Sequence, residues 1–145
     1  MNIVFLQAKK PLVKEITKNG TKPYPLVKNF TSTEETITVD KKGLTKLFRA
    51  LCSAAANGMC MLKGPLKRPL VDEPRAFMTD RATATEILVL DIDGLRATPG
   101  DDLQAMADRI VLQLPELFHD CSYIVQASAS LGIKNATEEF YINLD

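Results

Sequence analysis

The sequence is poor in the residues that build metal centres and disulfide frameworks, with one histidine and three cysteines among 145 residues. Cys52, Cys60 and Cys121 lack the grouped spacing of a structural zinc site, which needs four ligands. An odd number of cysteines indicates reduced thiols, which we expect to be mostly buried in a cytoplasmic protein. His119 lies in a predicted helix–strand loop, where a single histidine is more often structural than catalytic, and it receives no functional role.

Long apolar runs are also absent, and no segment approaches the roughly 20 residues that span a bilayer. Lys9, Lys10 and Pro11 end the apolar start of the chain too early for a secretory signal. The apolar fraction of 46% and the charged fraction of 25% are ordinary for a globular protein, and 145 residues suffice for one domain with a core. We therefore expect a single domain, residues 1–145, without membrane contact.

The formal net charge is zero, but the charges are unevenly distributed along the chain. Residues 1–85 hold 15 Lys and Arg against 7 Asp and Glu, a balance of +8, whereas residues 86–145 hold 3 against 11, a balance of −8. A basic half beside an acidic half is what a metal site facing a polyanion needs. An internal electrostatic match between two packed layers gives the same pattern, so both interpretations stay open.

Hydrophobic patterning predicts an α/β (α+β) protein with helices packed on a mixed sheet. A first helix is predicted to be capped by Asp40 and to stop at Asn57-Gly58. Its apolar face should pack on the core through Leu44, Leu47, Phe48, Leu51, Cys52 and Ala55. Strands are predicted at residues 2–8, 34–39, 59–62, 122–126 and 140–144.

A second helix is predicted between Thr98, its cap, and Pro115, which ends it. Three acids at its start and on its surface, Asp101, Asp102 and Asp108, suit the helix dipole and are better explained as structural residues than as ligands.

Two segments carry most of the cations of the basic half. Residues 9–33 are predicted to form a long irregular loop with five basic side chains from Lys10 to Lys28, either solvated or serving as a phosphate-contacting arm. Residues 63–70 are held extended by two prolines and a glycine. Because basic side chains on an extended loop reach backbone phosphates, we expect nucleic-acid contacts from Lys63, Lys67, Arg68, Arg75 and Arg81.

The stretch from Glu86 to Gly94 is the most suggestive part of the chain. Its apolar run, Ile87 to Leu90, predicts a strand buried on both faces that leads into Asp91-Ile92-Asp93-Gly94. Side chains two residues apart in a strand point the same way, so Asp91 and Asp93 should project together. Paired carboxylates favour a hard divalent ion, Mg²⁺ or Mn²⁺, between them. A solvated Asp-Gly turn after a strand is the simpler alternative.

The predicted strand 122–126 is followed by small hydroxyl residues and a glycine. Ser128, Ser130 and Gly132 would let a phosphate or sugar approach the backbone, and Lys134 follows as a third nucleotide-binding candidate. The same composition also makes a plain turn.

The ordered combination of these features resembles the amino-terminal part of phage or plasmid primase-polymerases of the archaeo-eukaryotic primase superfamily. Leu88 to Gly94 looks like the first motif of that superfamily, and Val125 to Gly132 resembles the strand end before its second motif. The segment from Lys63 to Leu66, with Arg75, looks like the basic region ahead of the first motif. The resemblance covers about residues 55–145, so residues 1–58 are interpreted as a strand–helix unit and 59–145 as the start of a catalytic core.

The resemblance implies a DNA primase and DNA polymerase, a nucleotidyltransferase of replication, with Asp91 and Asp93 as metal-binding catalytic residues. It also implies single-stranded DNA template, nucleotides and a replicative helicase as partners, in the cytoplasm of a bacterial host. The chain departs from the family pattern because no histidine follows Ser130 and no later segment matches the third-acid strand. A fragment of this kind is expected to be inactive or impaired by itself, with an incomplete primase-like core.

Two alternatives stay open. Asp91-Ile92-Asp93-Gly94 also resembles the first motif of haloacid-dehalogenase-type phosphatases, which would make Asp91 a nucleophile. Only about 50 residues follow that motif, too few for the remaining parallel βαβ units of roughly 30 residues each. A non-enzymatic phage interaction domain is the third possibility, and metal dependence would separate it from the other two.

Overall fold

The computed structural model describes residues 1–17, 19–40, 42–95, 98, 100–127 and 142–144, with the backbone alone at 93–95 and 142–144. The chain divides into two compact units, unit 1 from Met1 to Val89 and unit 2 from Leu90 to Asp145. The described residues combine α and β structure, with two α-helices and strands that pair antiparallel. The predicted combination of sheet and helices is confirmed, but the described strands pair antiparallel and not as the predicted mixed sheet; the primase-like core stays a prediction.

Unit 1 is built on a four-stranded antiparallel sheet. Its strands are β1 (Asn2–Gln7), β4 (Asn29–Thr36), β5 (Cys60–Leu62) and β6 (Glu73–Pro74), in the order β5-β1-β4-β6. The central strand β1 pairs with β4 along its whole length and with β5 on its other edge, and its residues Ile3 to Leu6 are all buried. The apolar run near the start of the chain therefore forms a strand, as predicted, and this strand is covered on both faces.

The core of unit 1 joins the sheet to residues 63–81, which we call the basic segment. Val4 and Leu6 of β1 pack with Phe30 of β4 and with Leu70, whose exposed fraction is 0%. Leu66 and Met78, on either side of Leu70 in the sequence, pack against the same cluster. Because each buried side chain of this size contributes about 1.5–3 kcal/mol, the basic segment is fixed to the sheet by its apolar residues.

Residues 9–33 do not form one irregular loop. They contain a hairpin of β2 (Glu15–Thr17) and β3 (Gly20–Lys22), and the following strand β4 begins at Asn29, before the predicted position. Thr17 closes the hairpin, since its hydroxyl donates to the carbonyl of Gly20 and accepts from the N–H of Asn19. The prediction was wrong here because short polar strands have little hydrophobic alternation.

Helix α1 (Gly43–Ala56) begins and ends close to its predicted limits. The N-cap is Lys42 and not Asp40, so the predicted cap was wrong; the Asp40 carboxylate accepts from the backbone N–H groups of Lys42 and Gly43 at this end of the helix. At the other end Gly58 adopts a φ of +63°, and a Cβ there would lie 2.6 Å from the Pro11 Cβ. Glycine is therefore required by both the backbone conformation and the close approach of Pro11.

The buried face of α1 is narrower than predicted. Gly43, Leu47 and Ala54 are buried, but Phe48, Cys52 and Ala55 are exposed, so these three assignments were wrong. The expectation of mostly buried thiols was also wrong, because Cys52, Cys60 and Cys121 are all exposed. The apolar residues of α1 form a wide stripe along the helix, and its packing against the rest of unit 1 buries only part of that stripe.

Unit 2 contains α2 (Leu103–Val111) and a two-stranded pair of β7 (Ile92–Leu95) with β8 (Ile142–Leu144). The helix is capped by Asp102, whose carboxylate accepts from the N–H of Ala105 at 2.8 Å, so Thr98 as the cap was wrong. Met106 and Ala107 form its buried face. After Pro115, a single 3₁₀ turn, Glu116–Phe118, follows.

Two predicted strands are not formed. Residues 86–90 are not paired in any described sheet, and the side chains of Leu88 and Leu90 are 57% and 40% exposed. Residues 122–126 are likewise irregular. An apolar run becomes a strand only where another strand satisfies its N–H and C=O groups, and a local pattern does not report that partner.

No helix among the described residues is long and apolar enough to cross a membrane.

Candidate nucleic-acid interface and acidic pair

The five cations predicted to contact nucleic acid all lie on unit 1, in the segment 63–81. Each of these side chains is exposed: Lys63, Lys67, Arg68, Arg75 and Arg81. Exposure is the first requirement for a phosphate contact, since a buried cation would need an internal partner.

The segment that carries them is held by its own backbone as well as by the core. Leu66 and Thr79 form an antiparallel bridge, flanked by hydrogen bonds from the N–H of Lys67 to the carbonyl of Met78 and from the N–H of Asp80 to the carbonyl of Pro65. These two bonds measure 2.8 and 2.9 Å. Lys67 and the turn before Met78 are therefore fixed next to each other.

Arg68 already takes part in an ion pair, which makes it less suited to phosphate binding. Its guanidinium donates two hydrogen bonds to the Glu73 carboxylate, Nη1 to Oε1 at 2.8 Å and Nη2 to Oε2 at 2.5 Å. The paired Arg68 lowers the pKa of the Glu73 carboxyl through these hydrogen bonds, so the pair stays charged at neutral pH. A phosphate would have to compete with a two-point contact already made.

Two more acids of the segment also have defined partners. Asp72 accepts from Lys9 Nζ at 2.7 Å, and this hydrogen bond lowers the pKa of its carboxyl. Asp80 accepts from the Thr83 hydroxyl at 2.6 Å, which lowers its pKa, and the nearby charge of Lys67 adds a smaller effect. Lys9 therefore ties the start of the predicted phosphate-contacting arm to this segment.

Arg75 lies near the thiol of Cys60 on the edge strand β5. Partial burial of the sulfur raises the pKa of the Cys60 thiol, and this effect outweighs the opposing charge of Arg75. The thiol is therefore not activated at neutral pH, and Arg75 remains exposed for another partner.

Sequence reasoning overlooked Phe77, which stands between Arg75 and Arg81. Its side chain is 90% exposed and its φ is +68°, a conformation that residues other than glycine and asparagine rarely adopt. An aromatic residue inside a basic loop is the signal that could have drawn attention to it.

The acidic pair lies at the start of β7 rather than at the end of a buried strand. Asp91 is exposed and immediately precedes β7, whereas Asp93 lies within it, and the side chain of Asp93 is outside the described part of the chain. In the described residues no cluster of three or more His, Cys, Asp or Glu side chains could hold a metal ion. Whether the two carboxylates converge stays a prediction.

Two further acids of unit 2, Asp101 and Asp108, and His119 have structural partners. Asp101 accepts from Arg109 Nη2 at 2.6 Å and from the N–H of Thr98, and the His119 ring contacts the carbonyl of Leu114 at 2.9 Å. Asp108 accepts from the Tyr123 hydroxyl and from Gln104 Nε2, and its bond to Tyr123 raises the pKa of that phenol. The predicted nucleotide-binding residues Ser128, Ser130 and Lys134 lie outside the described residues.

Comparison with known proteins shows no family for this chain. No protein-family model matches it, and no curated protein or solved structure matches it either.

Proposed function

We propose that the chain is the front portion of a replication primase-polymerase in which unit 1 binds single-stranded DNA. Binding is through phosphate contacts made mainly by Lys63, Lys67, Arg75 and Arg81, with Arg68 as a lesser contributor. In the same proposal Asp91 and Asp93 hold Mg²⁺ or Mn²⁺ near the nucleotide, and Ser128, Ser130 and Lys134 contact that nucleotide. The resemblance described from the sequence motivates the second part.

The charge of unit 1 is the observation that carries the DNA-binding part. Residues 1–89 hold 15 Lys and Arg against 8 Asp and Glu, a balance of +7, although the whole chain is neutral. A separate compact unit with this excess of positive charge attracts polyanions. Exposed cations on a fixed segment can then contact the phosphates directly. Contacts to phosphates carry no sequence information, so the expected binding is independent of base sequence.

Lys67 and Arg75 differ from Arg68 in a way that favours this role. Arg68 is engaged with Glu73 in a two-point ion pair, whereas Lys67 and Arg75 are exposed beside a backbone that is already ordered. Less chain entropy is then lost when a phosphate is bound.

The phosphatase alternative receives less support. It needs Asp91 at the carboxyl end of a parallel strand, whereas in the described residues β7 pairs antiparallel with β8. No observation on the described residues favours a protein-interaction domain over nucleic-acid binding.

The test is a triple substitution, Lys63→Ala, Lys67→Ala and Arg75→Ala, compared with wild type in binding to an oligo-dT strand. We expect the triple variant to lose on the order of tenfold or more in affinity at low salt, because three phosphate contacts are removed. Anisotropy titration of a labelled strand gives the two dissociation constants.

The matched control is the triple variant Lys42→Ala, Lys46→Ala and Arg49→Ala, which removes the same charge from the exposed side of α1. It should bind much more tightly than the first variant. Equal losses in the two triple variants would show that overall charge, and not the segment 63–81, determines binding.

A further inference from the structure

The β-turn that ends at Met78 holds an aromatic residue in an unfavourable backbone conformation. The N–H of Met78 donates to the carbonyl of Arg75 at 3.0 Å, so residues 75–78 form a β-turn with Phe77 at its third position. A positive φ at the third position is the mark of a type II turn, where glycine or asparagine is normal. A phenylalanine there strains the backbone.

The ring of Phe77 gains nothing from packing that would offset this strain. Its side chain is 90% exposed, although the next residue, Met78, packs on the core of unit 1. An exposed phenyl ring costs free energy in water, so both the backbone and the side chain at this position are unfavourable in the isolated protein.

Asp72, in the same segment, also has a positive φ, but its conformation is stabilised by hydrogen bonds. Its φ is +51°, and its carboxylate, carbonyl and N–H bond to Lys9, Asn29 and Thr31, respectively. Aspartate also tolerates this conformation better than phenylalanine does. Phe77 has neither advantage, which points to a contact that the isolated chain lacks.

Two cationic residues lie beside the turn along the backbone. Arg75 is the first residue of the turn, and the N–H of Lys67 bonds to the carbonyl of Met78, which directly follows Phe77. Exposed aromatic rings flanked by cations are the arrangement with which proteins bind single strands, because the cations hold the phosphates and the ring stacks on a base.

We propose that Phe77 is a base-stacking residue that binds an unpaired DNA base while Lys67 and Arg75 hold the adjacent phosphates. This inference deepens the proposed function and rests on it. It adds a contact to the bases themselves, which phosphate contacts alone do not make. The strained turn holds the ring exposed before the strand arrives.

The experiment compares two probes with equal charge, an oligo-dT strand and the same sugar–phosphate backbone without bases. Wild type should bind oligo-dT about tenfold more tightly than the abasic strand, since stacking on one ring is worth roughly that factor. Phe77→Ala should lower the affinity for oligo-dT to that for the abasic strand, and leave the affinity for the abasic strand unchanged. Phe77→Tyr should retain the preference.

Two further variants separate stacking from damage to the fold. Phe77→Gly relieves the positive φ, so it should melt at a higher temperature than wild type and still lose the preference for bases. Phe48→Ala removes an exposed phenyl ring from α1 and should keep the preference.

The outcomes also separate this inference from the proposed function. If wild type binds both probes equally and the triple cation variant weakens both, DNA binding stands and the role of Phe77 is overturned. An unchanged preference in Phe77→Ala overturns it as well. If wild type binds neither probe, both proposals are wrong.

Discussion

Single residues in this chain are often explained by specific partners that composition alone does not show. Arg68 is predicted from its neighbours to be one of five equivalent cations, but it is paired with Glu73 by two hydrogen bonds. Asp40 could be placed at the start of α1, though not as its N-cap, because its carboxylate bonds to backbone only two and three residues away. Phe77 could have been noticed as an aromatic residue in a basic loop, but its strain comes from a turn that composition does not reveal.

The Arg68–Glu73 pair predicts a pH dependence of stability. Arg68 lowers the pKa of Glu73 in the folded state, so the contribution of this pair is complete above the unfolded pKa and is lost as pH falls through the folded pKa. Glu73→Gln should therefore melt below wild type near neutral pH, with a difference that shrinks to nothing in strong acid. Melting curves from about pH 7 to about pH 2 measure it.

The control for that experiment is Glu34→Gln, at an exposed carboxylate of β4 that forms no ion pair among the described residues. Its difference from wild type should stay small at every pH. A Glu73→Gln difference that is constant with pH would mean that the pair contributes through packing and not through charge.

At the scale of secondary-structure elements, local chemistry predicted the elements that are strongly amphipathic or fully apolar. Strand β1 and helix α1 were both recognised, because burial in the core of unit 1 gives each a regular apolar pattern. The run 86–90 is equally apolar, but its side chains alternate between half-buried and exposed and no described strand pairs with it. Its strand prediction failed because pairing depends on the rest of the chain.

The metal site predicted at the acidic pair also depends on one element, the strand β7. If Asp91 and Asp93 project together, a divalent ion bound between them stabilises the folded chain by mass action. Millimolar Mn²⁺ should then raise the melting temperature by a few degrees (about 1–3 kcal/mol of stabilisation at roughly 10 to 100 times the dissociation constant). Asp91→Ala and Asp93→Ala should each abolish the rise.

Asp120→Ala is the control for this measurement, since it removes an exposed acid of unit 2 that lies outside the motif. It should leave the response to Mn²⁺ intact. A melting temperature of wild type that does not change in Mn²⁺ would argue against a metal site in this chain.

At the scale of the whole molecule, the distribution of charge was the most informative feature of the sequence. The change from basic to acidic composition at residue 85 lies close to the boundary between the two units, at Val89 and Leu90. Charge could be counted from the sequence, whereas the segment 63–81 needed the structure, because charged residues and prolines separate its anchors Leu66, Leu70 and Met78. The basic unit and this fixed segment together motivate the proposed binding of single-stranded DNA.

The most direct test of that account is the salt dependence of oligo-dT binding by the wild-type chain. Each phosphate contact to a single strand contributes a slope of about −0.7 to the logarithm of affinity against the logarithm of salt concentration. With four cations in contact, we expect a slope near roughly −3. The triple variant Lys63→Ala, Lys67→Ala and Arg75→Ala should lower its magnitude by about 2. A wild-type affinity that does not change with salt would contradict the account.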